Sequence, residues 1–89
     1  MRFEWDRDKA EANLRKHRVS FDEAATIFFD VLSVTIPDPD HSVGERRFVT
    51  IGSSSKGRLL VVAHTERGST LRIITARLAS ATERKRHET

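Results

Sequence analysis

The chain has 89 residues, enough for one domain with a modest core and too few for two. With 37% hydrophobic and 33% charged residues and no long polar tract, it has the composition of a folded globular protein. No cysteine is present, which excludes disulfides, thiolate catalysis and zinc–cysteine sites and fits a reducing cytosol. No stretch approaches the roughly 18 apolar residues needed to cross a bilayer, and Met1-Arg2-Phe3-Glu4-Trp5-Asp6 lacks the apolar run of a signal peptide, so the expected location is cytoplasmic, with no membrane contact. The net charge of +3 conceals an asymmetry. Residues 1–44 carry six Lys/Arg and nine Asp/Glu (6 − 9 = −3), whereas residues 45–89 carry ten and four (10 − 4 = +6). A basic half of this kind favours a polyanionic partner, nucleic acid above all.

In chain order, Trp5, Ala10, Leu14 and His17 recur at near-helical spacing behind Asp6, a residue suited to an N-cap, and predict a first helix over residues 7–17. Ser20-Phe21-Asp22-Glu23 reads as a capping box that opens a second helix, whose apolar face is Phe21, Ala24, Ala25 and Phe28. After Val31 the pattern changes to β-branched runs at Ser33–Ile36, Arg46–Ile51, Arg58–Thr65 and Thr70–Leu78. Residues 37–44, from Pro37 to Gly44, suit neither strand nor helix, and the segments 53–57 and 66–69 are of hairpin length. Leu59-Leu60-Val61-Val62-Ala63 is apolar on both faces and should be a central strand.

Regular alternation along the last strand puts Arg72 on one face with Ile74, Ala76 and Leu78, and Arg77 on the other with Leu71, Ile73 and Thr75, unless a bulge intervenes. Ser80-Ala81-Thr82-Glu83 repeats the capping pattern before a short basic helix with Arg84, Lys85 and Arg86. The expected fold is α+β: two N-terminal helices packed on a four-stranded antiparallel sheet, followed by a short C-terminal helix.

Arginine is the side chain best matched to phosphate, because its planar fork can bond two oxygens and it stays charged. Arg46, Arg67, Arg72 and Arg77 are the candidates. His and Glu suit proton transfer, which adds His17, His64, Glu45 and Glu66. Each has a structural explanation as well. Glu45-Arg46 can be a surface pair, Glu66-Arg67-Gly68 a polar turn, Lys16-His17 a cationic helix end, His64 a satisfied sheet residue, Glu83 a capping residue and Trp5 a core anchor. His41 and His87 stand too far from other ligand types to suggest a metal site, and neither metal nor cofactor is expected.

Phe3-Glu4-Trp5-Asp6 with Lys9 and Asn13, Lys16-His17, Val19-Ser20-Phe21-Asp22-Glu23-Ala24, Phe28 with Asp30, Glu45-Arg46, Gly52, Leu59 to Val62, Thr65-Glu66-Arg67, Arg72 to Arg77 and Glu83-Arg84 follow one another in an order and spacing that closely resembles the BrnT toxins of type II toxin–antitoxin systems. The resemblance implies a fold akin to the RelE-like ribonucleases, one RNA-cleaving toxin domain over residues 1–89, an RNA substrate and neutralisation by a DNA-binding BrnA antitoxin. Three positions depart from the family pattern: Arg7 where Pro is frequent, Arg18 where Gly is usual, and His87 where Tyr is common. A non-glycine residue in left-handed conformation at Arg18 would cost about 1 kcal/mol. The alternative function is a non-catalytic module that binds nucleic acid or a protein through the same basic face and C-terminal helix.

Overall fold

The computed structural model describes residues 1–41 and 44–88. Ser42 and Val43, at the end of the long loop expected over residues 37–44, lie outside the described residues. The elements in chain order are β1 (Arg2–Glu4), α1 (Arg7–His17), α2 (Phe21–Ala25) running into a 3₁₀ turn (Thr26–Phe29), β2 (Val34–Pro37), a second 3₁₀ turn (Pro39–His41), β3 (Arg47–Ser53), β4 (Leu59–Arg67), β5 (Thr70–Leu78) and α3 (Ala81–Glu88). They form one five-stranded sheet in the order β1-β5-β4-β3-β2, with α1 and α2 packed on one face.

The expectation of four antiparallel strands is thus corrected. β2 to β5 are an antiparallel meander, but Arg2–Glu4 adds a fifth strand, parallel to β5. Three residues are too few to show a period-two pattern. Their pairing becomes favourable only once β5 offers its open edge. Pro37, expected in the loop, ends β2 at the sheet edge, where its missing N–H costs no ladder bond.

The first helix begins and ends where its spacing indicates. Asp6 accepts the Lys9 amide at 3.0 Å, and Arg18 closes the helix at φ 59°, donating its own amide to Leu14. Arg18 therefore does take the left-handed conformation that glycine adopts at lower cost. Ser20 caps α2 by accepting the Glu23 amide at 3.0 Å. The reciprocal half of this box is missing, because the buried Glu23 carboxylate instead pairs bidentately with Arg58 and accepts from the Ser54 hydroxyl at 2.7 Å. Arg58 holds that carboxyl below its usual pKa, against the opposing effect of burial. The interaction ties α2 to the β3–β4 hairpin. Close approach on that side depends on Gly52, where a Cβ would stand 2.9 Å from that of Ser33.

The core lies between the helices and the inner face of the sheet. Val19, Phe21, Ala24 and Ile27 pack on Leu60, Val62, Leu71, Ile73 and Ala76, with Trp5 edge-on to Phe21 at 6.0 Å. β4 is the central strand its two apolar faces call for.

Between β4 and β5 the register breaks. Ala63 pairs with Thr75 and His64 with Ile73, so Ile74 is an extra residue, a bulge in β5. β4 itself runs in unbroken register with β3. β1 covers the outer edge of β5 only as far as Arg72. Beyond it the buried Asn13 side chain of α1 replaces a neighbouring strand, donating to the Ala76 carbonyl at 2.8 Å and accepting the Ala76 amide at 3.1 Å. Its amide also donates to the Val19 carbonyl at 3.0 Å.

Asn13→Leu would leave these backbone groups buried without partners, at about 1–3 kcal/mol for each one that water cannot reach. Unfolding in urea should show a loss of about 2–4 kcal/mol, with faster hydrogen exchange at the Ala76 amide. An unchanged midpoint would contradict the role given to this side chain.

Candidate active site

The bulge decides where the arginines point. Arg72 lies opposite Thr65 and Arg77 opposite Val61, and Thr65 and Val61 are four residues apart on a regular strand. Both arginines therefore project from the same face, the one away from α1 and α2. Strict alternation would separate them. Ile74 restores them to one surface, as the sequence allowed only for a bulged strand.

On this open face the polar groups fall at two ends. At one end Arg72, Thr65 and Arg47 are in register across β5, β4 and β3. Glu4 joins the row from β1, with an oxygen 3.4 Å from Arg72. The next row along carries the pair Arg67–Glu45, with Nε 2.6 Å from one carboxylate oxygen and a second nitrogen 3.2 Å from the other. Arg67 holds the Glu45 carboxyl below its usual pKa, with smaller contributions from Arg72 and Thr65, and Glu45 in turn raises Arg67. At the other end, about 13 Å away at the usual rise per strand residue, Arg77 makes a two-pronged pair with Glu83 of α3 at 2.7 and 2.9 Å. Arg77 and the Ser80 amide lower the Glu83 pKa to about 2. Ser80 and Glu83 complete the expected capping box, at 2.8 and 3.1 Å.

The structure thus brings Glu45, Arg67 and Arg72 together and leaves Arg77 at a distance on the same face. Arg46 stands apart. It precedes β3 and its guanidinium lies 5.5 Å from the centre of the Phe48 ring. Phe48 belongs to the helix side of the sheet, since it stacks on the buried His64. Arg47 and Glu4, which the sequence reading did not single out, occupy the open face instead. For Arg47 the only cue was its parity with Val49 and Ile51; for Glu4 there was none without β1. His17 ends α1 and borders a hollow with Lys16, Asn13 and Ile74, on the far side of the bulge from Glu45 and Arg67. Glu66 is exposed in the β4–β5 hairpin, opposite Leu71.

His64 is a core residue. It is 1% exposed, accepts or donates one hydrogen bond with Thr50 at 2.7 Å, and lies edge-on to Phe28 at 4.9 Å. Burial lowers its pKa from 6.5 to about 4, so the folded protein holds it neutral. Among the described residues no group of three or more His, Asp or Glu side chains could hold a metal ion, and no helix is long and apolar enough to cross a membrane.

The molecule is thus a small α+β domain whose open sheet face carries Arg67, Arg72 and Arg77, each beside a carboxylate, and guanidinium is a side-chain type well matched to phosphate. Residues 5–83 match the family model described as "Ribonuclease toxin, BrnT, of type II toxin-antitoxin system", and the chain belongs to that family. The fold is similar to that in the 1.1 Å crystal structure of the Brucella abortus ribonuclease toxin BrnT, with a TM-score of 0.70 and 24% identity over 90% of this chain and 97% of that one. A comparison with curated protein sequences finds no match.

The neutral His64 makes stability depend on pH. As pH falls below 6.5 the unfolded chain takes up a proton that the folded protein refuses until about pH 4. Stability is therefore greatest above pH 6.5 and should fall by about 2 kcal/mol between pH 7 and pH 5. Denaturation of His64→Gln should be nearly flat over that interval; equal slopes for the two proteins would refute the assignment.

Proposed function

We propose that this chain is the toxin of its toxin–antitoxin pair and cleaves RNA by transesterification without a metal ion, acting in the cytoplasm to inhibit translation and growth. Its neutralising partner is a BrnA-type antitoxin. The observation that carries the reading is the bulge at Ile74, because it gathers Arg72, Arg67 and Glu45 on the same open face as Arg77.

In this reaction the 2′-oxygen attacks the adjacent phosphorus, the bond from phosphorus to the 5′-oxygen breaks, and a 2′,3′-cyclic phosphate and a 5′-hydroxyl result. A base must take the 2′-proton, an acid must supply one to the 5′-oxygen, and cations must balance the charge that builds on the phosphoryl oxygens. Arg72 and Arg67 suit the last task, and Arg47 flanks them from β3. Held by Arg67, Glu45 is a weak base in the free protein. A phosphate that takes over the guanidinium releases the carboxylate, raises its proton affinity and leaves it beside the substrate. Glu4, 3.4 Å from Arg72, would likewise lie beside a phosphate bound there. Arg77, paired to Glu83, suits a phosphate further along the strand, and Arg46 a more peripheral one. His17 would act only on RNA that wraps over the bulge.

Purified protein should cut single-stranded RNA in EDTA, leaving cyclic phosphate ends. Arg72→Ala and Arg67→Ala should each lower kcat by about 100-fold, the usual loss for one donor to a developing oxyanion. Arg77→Ala should act mainly on KM. RNA that stays intact while still binding in a salt-dependent way would sink cleavage and favour the non-catalytic alternative.

A further inference from the structure

The half of the open face nearer α3 is different in kind. Val34 and Ile36 of the edge strand β2, Val49 and Ile51 of β3 and Val61 of β4 line a groove of about 320 Å³ that is almost wholly aliphatic. Glu83, held by Arg77, and Arg86 and His87 of α3 form its far wall. Ile36 remains 57% exposed, and Leu32, also exposed, borders a neighbouring hollow of mixed polarity that Val34 shares. α3 does not fill the groove: the helix is Ala-Thr-Glu-Arg-Lys-Arg-His-Glu and buries none of its residues. A sheet face of branched aliphatic side chains left half open in a chain this small marks an interaction surface.

The chemistry selects the occupant. The groove wall offers a nucleobase a single ring, the imidazole of His87, against five aliphatic side chains, and Glu83 at its border repels phosphate, so RNA gains little there. A second copy of this chain would bring the cations of one α3 against those of the other. Aliphatic lining beside Arg84, Lys85 and Arg86 fits a polypeptide segment with aliphatic anchors on one side and carboxylates on the other. We propose that this groove, between β2 and α3, is where the protein antitoxin docks through such an acidic, amphipathic segment. The proposal rests on the toxin reading above. Because the groove shares a face with Arg72 and Arg77, a chain seated in it would also cover the path of the RNA.

The test uses the full chain and its cognate antitoxin, with titration calorimetry for binding and RNA cleavage as a separate measurement. Ile36→Glu, at an exposed position that should tolerate it, is expected to weaken antitoxin binding at least 100-fold while cleavage by the isolated chain stays within about threefold. Arg86→Glu should weaken binding about tenfold and flatten its salt dependence. Leu14→Glu, on the outer side of α1, should change neither. Unaltered binding in Ile36→Glu overturns the proposal, as does loss of RNA affinity in that variant, or a wild-type dimer that Ile36→Glu dissociates. If the wild type cuts no RNA but the groove variants still lose the antitoxin, the docking surface stands and the nuclease reading falls.

Discussion

The clamp that Asn13 places on Ala76 is the contact on which the rest of this molecule depends. A β-strand with an extra residue loses ladder bonds locally, and its edge would take water or slip in register. Here one buried amide meets both the N–H and the C=O of the residue two positions beyond Ile74, as a neighbouring strand would. The side chain that satisfies the edge also anchors the end of α1 through the Val19 carbonyl. Helix packing and bulge geometry are therefore coupled. With the bulge held, Leu71, Ile73 and Ala76 all reach the core while Arg72 and Arg77 both reach the opposite surface.

That surface keeps its arginines in place by pairing them. Arg67, Arg72 and Arg77 each have a carboxylate from another element, on the β3 approach, β1 and α3 respectively. Such exposed pairs add little to stability. Their effect is on conformation: long, flexible side chains are already extended across the face, and a phosphate can exchange for a carboxylate without first ordering them. The paired carboxylates also temper the repulsion among like charges in a half of the chain that carries a net +6.

Much of the fold is visible in local chemistry, because local chemistry produced it. Asp6 and the left-handed Arg18 bound α1 where spacing puts it, and β5 runs over the residues its β-branched pattern marks. What could not be read depends on partners distant in sequence. Glu4 and Arg72 are 68 positions apart, and β1 is defined by β5 alone. Glu23 looks like half of a capping box until Arg58, 35 positions away, claims its carboxylate. The bulge has no signature within β5, since Ile74 resembles its neighbours and the residue that stabilises it is Asn13 in the first helix. The candidate site inherits that limit. Its residue types were evident, but which of them share a face was decided by one extra residue, and the choice between Arg46 and Arg47 by the register of β3.

The two halves of the open face place different demands on whatever binds them. The end with Arg67 and Arg72 offers charge and hydrogen bonds, so its interactions weaken as salt rises. The groove beside α3 offers aliphatic contact, which added salt does not screen. A protein that uses both ends combines a fast, charge-steered approach with slow release from the groove. RNA has only the first term available. Two ligands competing for one face under these conditions are not equally affected by ionic strength: raising salt shifts the balance toward the protein. If the antitoxin docks as proposed, neutralisation would need no conformational change in the toxin, because occupancy of the groove would itself obstruct the face that the Ile74 bulge creates.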